Sequence, residues 1–215
     1  MKISVLILTH NRPDLFKRCI ESVITAYKHF NVNLEILVNN DSRDITEVYP
    51  KMTRYYYSSS SNISVLYQLL FEKASNEYVY FLEDDDVMGK DFFFEVSQHT
   101  EDILYFNYIP HEWDVSFISF FDYTNKRGTK EDFLDEYDDH NYQFGQICFK
   151  KECLDINDFP SDNHLQNDFV IFKKLHGSFK TIPKFLYRQT TDGGDNISFK
   201  MLCKDDRWIS LNHKE

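Results

Sequence analysis

Short apolar runs alternate with polar clusters along the first half of the chain. Ile3–Leu8 is apolar and rich in β-branched residues, and it ends at Thr9-His10-Asn11, which predicts a buried strand. Pro13 follows where a helix can begin, because a missing N–H is no loss in the first turn. Leu15, Cys19, Ile20, Val23, Ile24 and Tyr27 then recur at helical spacing. Leu34–Val38 predicts a second buried strand, ended by Asn39-Asn40-Asp41-Ser42. Arg54–Tyr57 predicts a short third strand. Ser61 or Asn62 can cap a helix whose apolar face is Val65, Leu66, Leu69, Leu70 and Ala74. Tyr78–Leu82 predicts a fourth strand, which runs straight into Glu83-Asp84-Asp85-Asp86.

Strands that are apolar throughout must be covered on both faces, which points to a parallel α/β sheet. Such sheets bind ligands outside the carboxyl ends of their strands. The polar clusters at 9–12, 39–42 and 83–86 each follow a strand's carboxyl end, so three clusters converge on one edge. The second half is less regular. Asp91–Gln98 predicts a short helix, and Ile103–Tyr108, Val115–Tyr123 and Tyr142–Phe149 predict strands. Lys130–His140 reads as a charged loop or short helix over the site. Ser161 is placed as the N-cap of a helix reaching about His176. Phe179–Tyr187 predicts one or two strands around Pro183, Thr190–Asn196 a Gly- and Asp-rich mobile loop, and the chain beyond Leu202 a polar tail. No linker divides the chain, so a single domain over 1–215 is expected.

Hydrophobic residues at 42% and aromatics at 17% exclude a disordered chain. The net charge of −11 argues against a surface that grips nucleic acid or anionic lipid indiscriminately. The acid is uneven: residues 1–147 carry 13 basic and 25 acidic side chains, and residues 148–215 carry 11 and 10. The first apolar run is too short for a signal-peptide core, and no run approaches the roughly 20 residues that span a bilayer. No stable membrane insertion and a cytoplasmic setting are expected. Cys19, Cys148, Cys153 and Cys203 form no CxxC pair and read as reduced thiols. Lysines outnumber arginines, and Asn, Tyr, Phe and Ile are plentiful, as an AT-rich bacterial or phage genome would encode. A viral source would make the setting the host cytoplasm.

Four consecutive acids raise one another's pKa unless a cation compensates them. A hard divalent cation such as Mn²⁺ or Mg²⁺ does so, using one or two carboxylates, substrate phosphates and water. A solvated acidic turn is the bland alternative. The position of the acids at the end of the fourth strand favours the metal.

The stretches "ISVLILTHNRPDLFKRCIESV", "LEILVNNDSRD" and "EYVYFLEDDDVMGKDFF" resemble the nucleotide-binding half of the family 2 inverting nucleotide-sugar glycosyltransferases, which have the GT-A fold. The resemblance covers about residues 1–95 and continues weakly to about 200. It implies an α/β, Rossmann-like GT-A domain with a central, mostly parallel sheet flanked by helices. Residues 1–95 would bind the nucleotide sugar, 96–202 would form a smaller, irregular acceptor half, and 203–215 a tail. Thr9 matches the Thr that contacts the nucleotide base, with Asn11 and Arg12 in the same turn. Asn40 stands where the family usually has an Asp that accepts from the uracil N3–H. An Asn carbonyl oxygen can also accept. Glu83-Asp84-Asp85 stands at the DxD position. Asp85 matches the metal-binding acid, with Asp84 as a second candidate ligand; Asp84 and Glu83 would also reach the ribose or metal-bound water, and Asp86 would stand behind them. Tyr67 and Gln68 occupy the places of an Arg and an Asn that face the donor.

Inverting transfer needs a carboxylate to take the proton from the acceptor hydroxyl. Asp168 in "NHLQNDFVIFKKL" resembles the family's base, with Asp162 and Asp158 as fallbacks. Tyr187-Arg188 before Asp192-Gly193-Gly194-Asp195-Asn196 resembles the C-terminal loop, although Thr190-Thr191 replaces the usual His. Arg188 could there grip a phosphate bidentately. Trp113, in the polar stretch "PHEWD", is the best ring for stacking on an acceptor.

The expected activity is therefore metal-dependent, inverting transfer of a sugar, from UDP by first choice, to an acceptor hydroxyl. The acceptor would be a glycan or, with a phage source, a hydroxymethylated DNA base flipped out of its duplex. A catalytically silent module that binds a nucleotide sugar or a glycan is the competing reading. A nucleotidyltransferase is disfavoured, because "THNRPD" has no glycine for a phosphate loop. The sequence leaves the sugar, the identity of the base and the oligomeric state open.

Overall fold

The computed structural model describes residues 1–42, 47–60, 62–109, 144–161 and 167–188, and at 108–109 and 167–169 the backbone alone. Strand β1 (Lys2–Thr9) leads into helix α1 (Pro13–His29), then β2 (Asn33–Asn40) and β3 (Thr53–Tyr56). Helix α2 (Ile63–Lys73) precedes β4 (Tyr78–Glu83), β5 (Val87–Met88) and the short α3 (Phe92–Ser97). Strand β6 (Ile103–Ile109), a 3-10 turn at Phe144–Gln146, β7 (Ile147–Lys150), helix α4 (Asn167–Lys174) and β8 (Phe179–Arg188) follow.

The strands form one sheet in the order β3-β2-β1-β4-β7-β6-β8-β5. β1, β2, β3 and β4 run parallel, β7 is antiparallel to both β4 and β6, and β6 runs parallel to β8. Period-2 alternation sorts each strand between two cores. Ile3, Val5 and Ile7 face α1 and α3, where they meet Phe16, Cys19, Ile20, Phe92 and Val96. Leu6, Val79 and Phe81 face α2 and α4, where they meet Tyr67, Leu70, Phe71, Ile171 and Phe172. Both faces are covered, which is why the strands read as unbroken apolar runs. This is the mixed α/β, GT-A-type architecture that the sequence implies.

Several boundaries differ from expectation. Asn62, one of the two expected caps, does cap α2, with its side chain accepting from the Ser64 N–H at 2.9 Å. On that helix Val65 is exposed, and Tyr67 and Phe71 are buried in its place. Residues 144–146 form a 3-10 turn, so the strand expected over Tyr142–Phe149 is shorter and shifted. Helix α4 is described from Asn167, and Ser161 offers its carbonyl to Asn62 Nδ2 at 2.9 Å. Phe179–Arg188 is one strand. Its pairing with β6 slips where Ile182 and then Phe185 face consecutive residues, so Pro183, which has no N–H, falls in the irregularity. Two-residue β5 had no sequence signal. Expectations for Val115–Tyr123, Lys130–His140, Trp113, Asp162, Thr190–Asn196 and the tail lie outside the described residues. Cys19, Cys148 and Cys153 are free and buried. Among the described residues no helix is long and apolar enough to cross a membrane.

Candidate functional site

Strand β4 ends in a tight turn in which the Asp86 N–H bonds the Glu83 carbonyl at 3.1 Å. The turn is held from outside. Arg18 of α1 donates to the Asp85 carbonyl at 2.8 Å, and Ser22 Oγ accepts the Met88 N–H at 2.9 Å. Its acids are not solvated: Asp84 and Asp85 are each 5% exposed and Asp86 is fully buried. Burying three carboxylates in succession is unfavourable unless each is compensated. Arg12, at the head of α1, supplies part of that. Its Nη1 donates to Asp84 Oδ1 and Asp85 Oδ2, both at 3.1 Å.

Among the described residues Arg12 does not offset the burial of both acids. Burial pushes the Asp84 carboxyl up to about 6, with Arg12 opposing and Asp85 reinforcing the rise. Burial also raises Asp85, again against Arg12. Burial alone would lower the Arg12 guanidinium, but Asp84 and Asp85 override it and raise it. Asp84 Oδ2 is buried without a hydrogen bond. The buried Glu35 on β2 shows the contrast. It accepts from Ser4 Oγ at 2.7 Å and from the Ser75 N–H and Oγ, each at 2.9 Å, and it pairs with Arg54 at 3.2 Å. Burial works against Glu35 too, yet these bonds hold its carboxyl below the usual value. Glu35 is a satisfied structural acid held below its usual value, whereas burial holds Asp84 and Asp85 in the turn after β4 above theirs.

A cation would offset such buried charge. Glu83, Asp85 and Asp86 each present an oxygen, and these atoms lie within 4.8 Å of one another. An all-oxygen, carboxylate-rich set suits a hard divalent ion such as Mg²⁺ or Mn²⁺. Asp84 stands outside this group, with one oxygen on Arg12.

The other two strand ends reach the same edge. Thr9 and Asn40 are paired in register at the ends of β1 and β2, and both are buried. The Thr9 hydroxyl lies near enough to Asp84 to favour its charged form, short of a full hydrogen bond. Asn11 takes a positive φ of 53°, a conformation Asn tolerates better than most residues. That bend sets its N–H on Ser42 Oγ at 3.0 Å, and Ser42 in turn donates to Asn40 Oδ1 at 2.8 Å. Asn11 Nδ2 donates to His10 Nε2 at 3.0 Å, and His10 Nδ1 meets Asp41 at 2.6 Å. Side chains therefore join the first cluster to the second, and Arg12 joins the first to the third.

Thr9, Asn11, Arg12, Asn40, Glu83, Asp84 and Asp85 thus gather at one edge. Arg188 is exposed at the end of β8, and its backbone pairs with Val87 beside the acid turn. Gln68 has a different employment: its Nε2 holds the Ile156 carbonyl at 2.9 Å. Its neighbour Tyr67 packs edge-on against Phe81 and beside Phe144. Asp168 is the second residue of α4, and its side chain lies outside the described residues. Asp158 is spent in a capping box with Asp155. The sequence placed Tyr187 in the C-terminal motif without a role, and its hydroxyl donates to Asp86 Oδ2; sequence reasoning did not single out Arg18.

A doubly covered, mostly parallel sheet with its polar clusters at the carboxyl edge defines a GT-A-type α/β protein. The model of the family described as glycosyl transferase family 2 matches residues 4–155, and the chain belongs to that family. Among solved structures it is similar to Staphylococcus aureus TarS 1-349, at 17% identity and a TM-score of 0.61, over 88% of this chain and 60% of that one. The same protein in complex with UDP-GlcNAc matches at 16% identity and 0.60, over 92% and 61%. Its complex with UDP matches at 16% and 0.60, over 89% and 61%. The chain therefore spans about three-fifths of those chains, and at such identity the likeness is one of fold. No curated protein matches the sequence.

Proposed function

We propose that the protein is a metal-dependent, inverting glycosyltransferase that takes a sugar from a nucleoside-diphosphate donor, UDP by first choice. The observation that carries this reading is the turn at 83–86, where Glu83, Asp85 and Asp86 bring oxygens within 4.8 Å of one another among buried acids, at the edge where β1 and β2 also end. Family membership and the UDP-GlcNAc bound by a neighbour of the same fold support it. Glu83, Asp85 and Asp86 would hold Mn²⁺ or Mg²⁺. When bound, such an ion offsets the charge developing on a departing diphosphate.

The chain's own residues do the rest. Thr9, Asn11 and Asn40 bind the nucleoside, with the Asn40 amide reading the base edge. Arg12 carries a positive charge next to Asp84 and can turn to the diphosphate, as can Arg188. Asp168 takes the proton from the acceptor hydroxyl. The acceptor oxygen attacks the anomeric carbon as the bond to the diphosphate breaks, in a single displacement that inverts the centre. The acceptor is a glycan or a hydroxymethylated base in DNA.

Release of UDP from a panel of UDP-sugars with Mn²⁺ and candidate acceptors tests the assignment. Asp168→Asn should lower turnover at least 100-fold, as loss of a general base does, and leave nucleotide affinity unchanged. Turnover that survives Asp168→Asn contradicts the assigned base. Donor binding with no turnover on any acceptor contradicts transfer and leaves a silent binding module.

A further inference from the structure

The acid turn has a second support, which comes from the far end of the described chain. After the turn, β5 pairs with the end of β8, Val87 with Arg188 and Met88 with Tyr187, and the Gly89 N–H bonds the Leu186 carbonyl at 2.8 Å. This places Tyr187, 1% exposed, beside Asp86, which is fully buried. The Tyr187 hydroxyl donates to Asp86 Oδ2. The ring lies over the 144–146 turn at a spot only a glycine leaves open, since a Cβ on Gly145 would come within 2.3 Å of it. Tyr80 fixes that turn from β4 by donating to the Gly145 carbonyl at 2.9 Å. A residue from β4, the 144–146 turn and the end of β8 therefore cooperate to hold one carboxylate.

Asp86 belongs to the set whose oxygens converge within 4.8 Å. A carboxylate that accepts a hydrogen bond on one oxygen has its rotation fixed and its other lone pairs aimed. Partners of this kind orient ligands and tune affinity. We infer that Tyr187 is a positioning residue: its hydroxyl sets the Asp86 carboxylate as a ligand of the divalent cation, so the end of β8 takes part in building the donor site. The inference rests on the proposed metal-dependent function.

Tyr187→Phe tests it, because the buried ring stays and only the hydroxyl goes. Mn²⁺ affinity is measured directly by electron paramagnetic resonance with UDP present, for wild type, Tyr187→Phe, Asp86→Asn and the double variant. Loss of the hydroxyl is expected to weaken Mn²⁺ binding about 10-fold or more. At limiting Mn²⁺ the KM for donor should rise, while kcat at saturating Mn²⁺ changes less. The double variant should bind no more weakly than Asp86→Asn alone, since both changes act through one carboxylate. Wild-type Mn²⁺ affinity in Tyr187→Phe, or fully additive losses in the double variant, would overturn the inference and leave the metal site standing. Absence of Mn²⁺ binding in wild type would overturn the site and the inference together.

Discussion

Asp84, Asp85 and Asp86 are three buried carboxylates in a row, and the Arg12 guanidinium reaches two of them. Asp84 gives the sharpest consequence. Its carboxyl stands at about 6 in the folded protein, above the ordinary 3.8, because burial disfavours the charge. The folded state therefore holds the proton more tightly than the unfolded chain does. That stabilisation is complete below about pH 4 and is lost as the pH rises through about 6. Asp102 has the opposite sign. Lys150 and Ser178 hold it down to about 2, so its contribution is present above about pH 4 and fades only below that. In chelator-treated protein, unfolding free energy from urea titrations should fall between pH 4.5 and 6.5, and Asp84→Asn should flatten that decline. An unchanged slope in the variant would contradict the assignment. The gathering of Thr9, Asn40 and Asp85 at one edge was legible in the sequence, because Thr9 and Asn40 end strands and Asp85 lies two residues past the end of β4. The Tyr187–Asp86 bond was not, because its partners are 101 residues apart and neither lies in a pattern that names the other.

At the scale of elements, apolar runs gave away β1, β2 and β4, since strands buried on both faces leave little room for polar residues. The failures have equally physical causes. Val65 fits the helical period of α2 yet is exposed, and the aromatic rings of Tyr67 and Phe71 fill the core beside it. Periodicity ranks positions, whereas volume decides which side chains the core accepts. The 144–146 turn interrupts a strand-like sequence because the chain there must pass beneath the Tyr187 ring. Gly145→Ala is therefore expected to force that ring aside and to destabilise the fold by about 1–3 kcal/mol, read as a lower Tm and urea midpoint. Wild-type stability in Gly145→Ala would show that the ring is not confined there. Strand β5 escaped notice because two residues carry no period.

Across the whole molecule, one sheet runs through both halves, and its two faces are closed by α1 with α3 and by α2 with α4. The parallel half was readable from element order alone. The sequence did not reveal the insertion of antiparallel β7 between β4 and β6, or the return of β8 to β5. Both are long-range pairings that no local signal encodes. They bring the end of the described chain against the acid turn, so that turn is built from both halves of the molecule. The net charge of −11 argues against non-specific polyanion binding. The central claim is that the carboxyl edge binds a nucleoside diphosphate through a cation held by the acid turn. Calorimetric titration of UDP, with and without Mn²⁺, into wild type and Asp85→Ala tests it most directly. The account predicts tight binding that requires both Mn²⁺ and Asp85. Binding that is indifferent to metal and to Asp85, or no binding of any nucleoside diphosphate, would contradict it.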